Sequence, residues 1–256
     1  MRATKKLAYS LAAAVAVSAL AGAPAFAGEQ ADKAISKALK HKVRTSEEKA
    51  RDNERKPLET LQFYGLEPDM TVIELLPGGG WYTKVLGNTL KKKGKLYVAV
   101  GASRVAENLS EWKLEDVEVL AANANMVGTD VKGIFDIENL EFDVDDVDMV
   151  LTFRNAHNLT PEARADLNAK VFAALKPGGV YGIIDHTRRH NEPYSRPVWR
   201  RLDPVLVIKE ALDAGFEFEG FSDLHYQAAD GLTTDTRDEG MTGPSDRFTL
   251  KFRKPQ

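Results

Sequence analysis

The stretch TVIELLPGGGWYT, Thr71 to Thr83, runs from a β-branched apolar segment through an acid and a proline into three consecutive glycines. Two aromatic residues follow, in a segment that can open a helix. Glycines at the end of a strand let a ligand approach the backbone, and free N–H groups at the start of a helix can bind its polar atoms. The stretch therefore predicts a strand, a glycine turn and a helix. It indicates either a ligand-binding turn or a tight turn that needs glycine only for its φ angles.

On both sides of this stretch, short apolar runs alternate with helical patterns. The predicted strands are 71–76, 95–100, 117–120, 147–153, 180–185, 216–226 and 247–254. Predicted helices lie between them at 81–92, 105–113, 161–175 and from about 197 to 214. This rhythm predicts an α/β fold with a doubly wound, mostly parallel seven-stranded sheet that ends in an antiparallel hairpin. We expect one domain over residues 57–256, preceded by a lead-in segment and a first helix over 28–56.

The N-terminus is typical of a secretory signal peptide over residues 1–27. Arg2, Lys5 and Lys6 precede an apolar run that is followed by Ala25-Phe26-Ala27, a small-x-small cleavage site. The run is short and alanine-rich, which disfavours a membrane span. We expect a periplasmic or secreted protein, with no membrane partner after cleavage.

Composition excludes several functions for this 256-residue chain. It contains 35 basic and 38 acidic residues and no cysteine. Removing residues 1–27 removes three basic and no acidic residues, so the acidic excess grows. An acidic chain without a basic stripe is a poor nucleic-acid binder, and without cysteine there is neither a disulfide nor a thiolate nucleophile. A small-molecule substrate is the expected partner.

Three segments resemble one known family. VIELLPGGG resembles the acid and glycine loop after the first strand of class I S-adenosylmethionine-dependent methyltransferases. DVDMVLTFRNAHNL resembles their fourth-strand motif, and ALKPGGVYGIID resembles their last turn and fifth strand. The resemblance covers roughly residues 57–255 and is nearest to a group of exported bacterial proteins labelled as predicted methyltransferases. It implies the methyltransferase Rossmann-like fold and S-adenosylmethionine as cofactor.

The resemblance also implies a set of cofactor-binding positions. Glu74 matches the acid beneath the methionine part of the cofactor. The other expected contacts are Gly78, Gly79, Gly80, Tyr82, Gly101 and Asn155. Two positions depart from the family pattern: Leu76 stands where the first loop glycine usually is, and Gly101 stands where an acid usually binds the ribose hydroxyls.

Polar residues follow the fourth and fifth predicted strands, which are neighbours in this topology. Asn155 and His157 follow the fourth, and Asp185 and His186 end the fifth. We expect His157, Asp185 and His186 to converge beside the glycine turn as candidate catalytic residues. They could form a general base, bind a divalent metal through nitrogen and oxygen ligands, or simply cap a loop.

Arg51 and Asp52, in the first predicted helix, could reach over the same crevice or form an exposed ion pair. The sequence therefore predicts S-adenosylmethionine-dependent methyl transfer to an unidentified small molecule in the periplasm. Two alternatives stay open. The fold could have become a ligand-binding module, or His157, Asp185 and His186 could serve a metal-dependent enzyme.

Overall fold

The computed structural model describes residues 28–239, 241 and 243–256. The predicted signal peptide lies outside the described residues. In chain order the strands are β1 (Thr71–Leu75), β2 (Lys95–Ala99), β3 (Glu118–Leu120), β4 (Asn125–Gly128), β5 (Phe135–Glu138), β6 (Val147–Phe153), β7 (Leu175–His186), β8 (Glu217–Ser222) and β9 (Arg247–Arg253). The helices are α1 (Glu29–Leu39), α2 (Ser46–Ala50), α3 (Asp52–Arg55), α4 (Pro57–Tyr64), α5 (Trp81–Leu90), α6 (Ser103–Asn108), α7 (Pro161–Ala174) and α8 (Pro204–Asp213).

One seven-stranded sheet organises the molecule, in the order β3-β2-β1-β6-β7-β9-β8. Strands β3, β2, β1, β6 and β7 pair in parallel, and β9 runs antiparallel to both β7 and β8. The predicted fold class, a mostly parallel sheet with a C-terminal antiparallel hairpin, is confirmed. A second antiparallel pair, β4 with β5, was not predicted, because its residues are only half-buried and carry no continuous apolar run.

The point where β1 and β6 meet positions the site. From β1 the chain turns to β2 on one side, whereas β6 and β7 lie on the other. Connections that leave adjacent parallel strands in opposite directions open a crevice at their carboxyl ends. The ends of β1, β6 and β7 all reach this crevice.

Local signals fix several helix starts. Thr45 and Glu48 form a capping box at α2, and Thr160 accepts a hydrogen bond from the backbone N–H of Ala163 before Pro161 opens α7. Asp203 caps α8 by accepting from the N–H of Val205 at 2.9 Å. The predicted helix from about 197 to 214 therefore begins at α8, because Asp203 provides the cap and Pro204 the first turn.

Two further segments differ from the predictions. Residues 28–45, read as a weakly helical lead-in, contain α1, whose Ala31 and Ile35 are fully buried against the domain. The predicted turn over 176–179 is the first part of β7. It continues the sheet because the N–H of Gly178 donates to the carbonyl of Lys254, and the N–H of Lys254 donates to that of Gly179, both at 2.9 Å.

The core consists of two apolar layers, one on each face of the sheet. One layer packs α7 and α8 against the sheet, and the other packs α1, α4 and α5. Throughout the part of the chain that the structure describes, every helix is too short or too polar to cross a membrane.

Candidate ligand cavity at the strand ends

The glycine turn after β1 divides into an open part and a packed part. Gly78 and Gly79 are exposed, and a Cβ on Gly79 would meet no atom within 4 Å. Gly80 is buried at φ 78°, and a Cβ there would lie 2.4 Å from the Trp112 ring. Gly78 and Gly79 can therefore face a ligand, whereas Gly80 is required for packing. Before the glycines, Leu76 has a strained backbone with φ 51°. Its carbonyl accepts a hydrogen bond from Asn155 Nδ2 at 2.7 Å.

A polar cavity of about 950 Å³ opens over this turn. Of the predicted residues, its lining includes Glu74, Gly78, Gly79, Tyr82, Asn155, His157 and His186. The described residues that line the cavity do not include Gly80, Gly101 or Asp185. The α-carbon of Gly80 is turned toward Trp112, so the expected ligand contact of Gly80 stays a prediction about its backbone.

Glu74 is the buried acid of the site. It is 2% exposed, and its Oε2 accepts from Thr83 Oγ1 at 2.6 Å. Burial raises the pKa of Glu74 to about 8, while the Thr83 hydrogen bond and the charge of Arg55 act in the opposite direction. With this pKa the carboxyl group is mostly protonated at neutral pH in the free protein. A cationic group entering the cavity would favour its ionised form.

Tyr82, one of the expected cofactor contacts, lies in the cavity wall. Its ring stacks on Phe153 with centroids 3.6 Å apart and planes 10° from parallel. Its hydroxyl donates to the carbonyl of Arg55 at 3.4 Å, and burial raises the pKa of Tyr82 to about 12. The phenol therefore stays neutral and holds the end of α3 against the sheet.

His157 and Asp185 are brought together as predicted. His157 Nδ1 lies 2.6 Å from Asp185 Oδ1, and the backbone N–H of His157 donates to Asp185 Oδ2 at 3.0 Å. Because an ionised carboxylate only accepts, the hydrogen lies on Nδ1 and the lone pair on Nε2. His157 lines the cavity, so this geometry suits a base that takes a proton at Nε2.

His186 is a neighbour of this pair. Its Nδ1 lies 2.6 Å from Ser245 Oγ, and its ring centroid lies 5.5 Å from that of His157. Burial, followed by the charges of His157 and nearby arginines, holds the pKa of His186 well below its usual value. His186 is therefore a neutral polar group in the cavity wall.

These three side chains also have the donor set of a metal site. One donor atom from each of His157, Asp185 and His186 lies within 4.8 Å of the others. Asp185, however, already accepts three hydrogen bonds, from His157 Nδ1 and from the backbone N–H groups of His157 and His186. A metal ion would have to replace some of these bonds. The arrangement is better matched to an oriented imidazole than to a preformed metal site.

At the end of β2, Gly101 has φ 63°, and a Cβ there would meet Met126 Sδ at 3.1 Å and Leu76 Cδ2 at 3.9 Å. Two apolar side chains thus lie beside the position where the family usually has an acid. Gly101 itself is exposed and is not among the described residues that line the cavity.

The structure adds Arg55 and Arg247 to the cavity wall, which sequence reasoning had not singled out. They line it with Glu54 and with two arginines that had been considered at this edge, Arg51 and Arg154. Asp52, by contrast, forms an ion pair with Arg44. Arg55 and Arg247 fell inside patterns read as a helix and a strand, so nothing local marked them.

We compared the chain with known protein families and with curated proteins. No protein-family model matches the chain. It is 29% identical over 135 residues to an uncharacterized methyltransferase of Synechocystis sp., a match that covers 53% of this chain and 54% of that protein. The matched part thus spans about half the length of this curated relative.

Solved structures match over most of the chain. A methyltransferase dependent on S-adenosylmethionine from Aquifex aeolicus covers 87% of this chain and 97% of its own, with a TM-score of 0.55 and 18% identity. The 4+2 cyclase SpnF covers 88% of this chain and 93% of its own, with a TM-score of 0.56 and 14% identity.

The sheet order, the glycine turn and these likenesses define a class I methyltransferase fold. The resemblance of the sequence to that superfamily is confirmed at the level of the fold. Because one neighbour of this fold is a cyclase by name, the chemistry must be argued from the site.

Proposed function

We propose that this protein transfers a methyl group from S-adenosylmethionine to a small molecule. The observation that carries the proposal is that one cavity is lined by the buried Glu74, by the open Gly78–Gly79 backbone and by His157, which Asp185 orients from behind. A cofactor site and an oriented base therefore share one space in a methyltransferase fold.

The residues present fit the amino-acid end of the cofactor. Glu74 offers a carboxyl group for an ammonium group, and Gly78 and Gly79 offer unobstructed backbone. At the ribose end, Gly101 provides no carboxylate, so a hydrogen bond to the ribose hydroxyls worth about 1.5 to 3 kcal/mol is missing. We expect affinity to be weaker than in relatives that keep the acid.

When bound, the cofactor supplies an activated methyl group on its sulfonium. The protein positions the reactants and moves a proton. Asp185 holds the Nδ1 hydrogen of His157, and Nε2 accepts the proton of the acceptor's hydroxyl or amine. The stacked rings of Tyr82 and Phe153 form an apolar wall that limits water at this point.

The cellular location belongs to the same proposal. The pattern of residues 1–27 predicts export, and the acceptor would then be a periplasmic or extracellular small molecule. Because S-adenosylmethionine is made inside cells, a periplasmic activity also requires its supply across the inner membrane.

Calorimetry with S-adenosylmethionine and S-adenosylhomocysteine on the purified protein tests the proposal. We expect saturable binding that weakens at least tenfold in Glu74→Gln, because the amide cannot pair with an ammonium group. The exposed variant Glu107→Gln is the matched control. Absence of both heat and thermal shift at millimolar ligand would rule out the proposal.

A ligand-binding module is the second candidate, favoured by the apolar surroundings of Gly101. Leu76 and Met126 occupy the approach to the end of β2, where the adenosine half of the cofactor would be recognised. A protein that ignores S-adenosylhomocysteine but is stabilised by another small molecule would support this candidate.

The metal-dependent alternative has its own measurement. Elemental analysis of untagged protein reports any ion held by His157, Asp185 and His186. We expect no stoichiometric metal, because Asp185 already accepts three hydrogen bonds, some of which an ion would have to replace. One equivalent of zinc, lost in His186→Ala, would favour the metal enzyme instead.

A further inference from the structure

Four arginines meet at one end of the cavity, although they come from three separate parts of the chain. They are Arg51, which follows α2, Arg55 in α3, Arg154 after β6, and Arg247 at the start of β9. Glu54 forms an ion pair with Arg247 and lies 3.9 Å from Arg154, between Oε1 and Nη1. Positive charge therefore exceeds negative charge at this end.

The other acids of the described cavity wall do not neutralise the cluster. Glu48 forms an ion pair with Lys84 at 2.8 Å, and Glu74 lies beneath the glycine turn with a pKa that burial raises to about 8. Among the described residues of the cavity wall, Glu54 is thus the carboxylate that lies next to the four arginines.

Two of these arginines are buried with an unused donor. Arg55 is 7% exposed and Arg247 is 5% exposed, and the Nε of each has no hydrogen-bond partner among the described residues. The Arg55 guanidinium packs over the Trp81 ring at 4.4 Å. A buried guanidinium donor without an acceptor costs free energy, so packing holds these two positive groups in the wall although their hydrogen bonding is incomplete.

The cluster is also electrostatically strained in the free protein. Burial, followed by the charges of neighbouring arginines, lowers the pKa of Arg55 to about 9 and that of Arg154 to about 10. Like charges are held together by the fold, with Glu54 as a counter-ion for Arg247 and Arg154. Such an arrangement is typical of a site prepared for an anionic ligand.

Backbone geometry places this site beside the base. Arg154 is three positions before His157, and its N–H donates to the carbonyl of Ile184 at 2.7 Å. Arg247 is the cross-strand partner of His186 in the pairing of β7 with β9. An anion held by both arginines would present the rest of its molecule to the two histidines.

We propose that the methyl acceptor carries an anionic group, a carboxylate or a phosphate, which Arg51, Arg154 and Arg247 bind next to His157. The inference rests on the proposed function, since it names the acceptor class of that site. The same charge could instead serve the carboxylate of the cofactor, so the experiment must separate the two sources.

Calorimetric titration of inorganic phosphate and of citrate, at ionic strength held constant with sodium chloride, tests the site without any cofactor. We expect saturable binding by the wild-type protein. We expect Kd to rise about tenfold or more in Arg154→Gln and in the exposed variant Arg51→Gln, because each loses a charge-assisted hydrogen bond. Arg189→Gln, an exposed arginine outside the described cavity lining, is the control that should not change Kd.

Repeating the titration with saturating S-adenosylhomocysteine identifies the source of the charge. Unchanged phosphate affinity supports the acceptor site. Competition between the two ligands, or an equal loss of S-adenosylhomocysteine affinity in Arg154→Gln, would assign the arginines to the cofactor and overturn the inference. It is also overturned if the wild-type protein gives no more heat with phosphate or citrate than with chloride. Phosphate binding by a protein that ignores S-adenosylhomocysteine would instead refute the proposed function.

Discussion

Replacing Glu74 with glutamine should stabilise the free protein, and increasingly so as the pH rises. Burial raises the pKa of Glu74 from 4.5 to about 8, so the folded state binds this proton more tightly than the unfolded chain. The resulting stabilisation is complete below about pH 4.5 and is lost as the pH rises toward about 8. Over that window the wild-type protein loses free energy of unfolding relative to Glu74→Gln, which cannot ionise.

The size of the effect follows from the shift. One pKa unit corresponds to about 1.4 kcal/mol, so at pH 7 the cost of keeping Glu74 in its buried position is about 3 kcal/mol. Glutamine can still accept the hydrogen bond from Thr83 Oγ1, which in the wild-type protein spans 2.6 Å. The substitution therefore removes the ionisation and little else.

Urea unfolding at pH 5.5 and pH 7.5, without cofactor, measures this difference. The advantage of Glu74→Gln over the wild-type protein should grow by between about 2 and 3 kcal/mol between the two pH values, just under the limit that one proton sets over two pH units. The exposed variant Glu107→Gln should show no such growth. An advantage that is the same at both pH values would mean that Glu74 is ionised or hydrated in the free protein, and the explanation from burial would be wrong.

The remaining predictions concern the base, the glycine turn and the proton of Glu74. Asp185→Asn should disturb the Nδ1–H tautomer of His157, which ring-nitrogen NMR shifts report; an unchanged tautomer would contradict the proposed pairing. Gly80→Ala should lower the free energy of unfolding in urea by about 2 kcal/mol or more, because its Cβ would overlap Trp112 at positive φ. Gly79→Ala should lower it by less than about 0.5 kcal/mol, and equal losses in the two variants would count against this packing. Binding of S-adenosylhomocysteine at pH 7 should release about one proton from Glu74, seen as a dependence of the heat on the ionisation enthalpy of the buffer; no dependence would refute this role.

Much of the fold could be predicted because its signals are local. The apolar runs of β1 and β6, the glycine turn and the proline-started helices each depend on residues close together in the chain. Helix α1 was underestimated although Ala31, Ile35 and Ala38 recur at helical spacing, a signal that could have shown its buried face. The pair β4 and β5 carries no comparable pattern, because its residues are half-exposed.

The candidate site was predictable to the extent that parallel strands end at a common edge. That rule predicts that His157 and Asp185 lie close together, and the 2.6 Å distance between His157 Nδ1 and Asp185 Oδ1 agrees with it. It did not separate Gly79, which faces the cavity, from Gly80, which packs on Trp112. This distinction depends on the direction of one Cα–Cβ bond relative to a side chain 32 positions away.

By itself, the sequence determined the fold class, the position of the crevice and the polar residues at the ends of β6 and β7. These depend on periodicity, turn chemistry and strand order, all of which a linear pattern expresses. The tertiary structure alone decided that Glu54 meets Arg247, 193 positions away, and that Arg55 is buried beside them with an unused donor. Charge clusters of this kind result from the packing of α3 against the start of β9, and no local pattern encodes that contact.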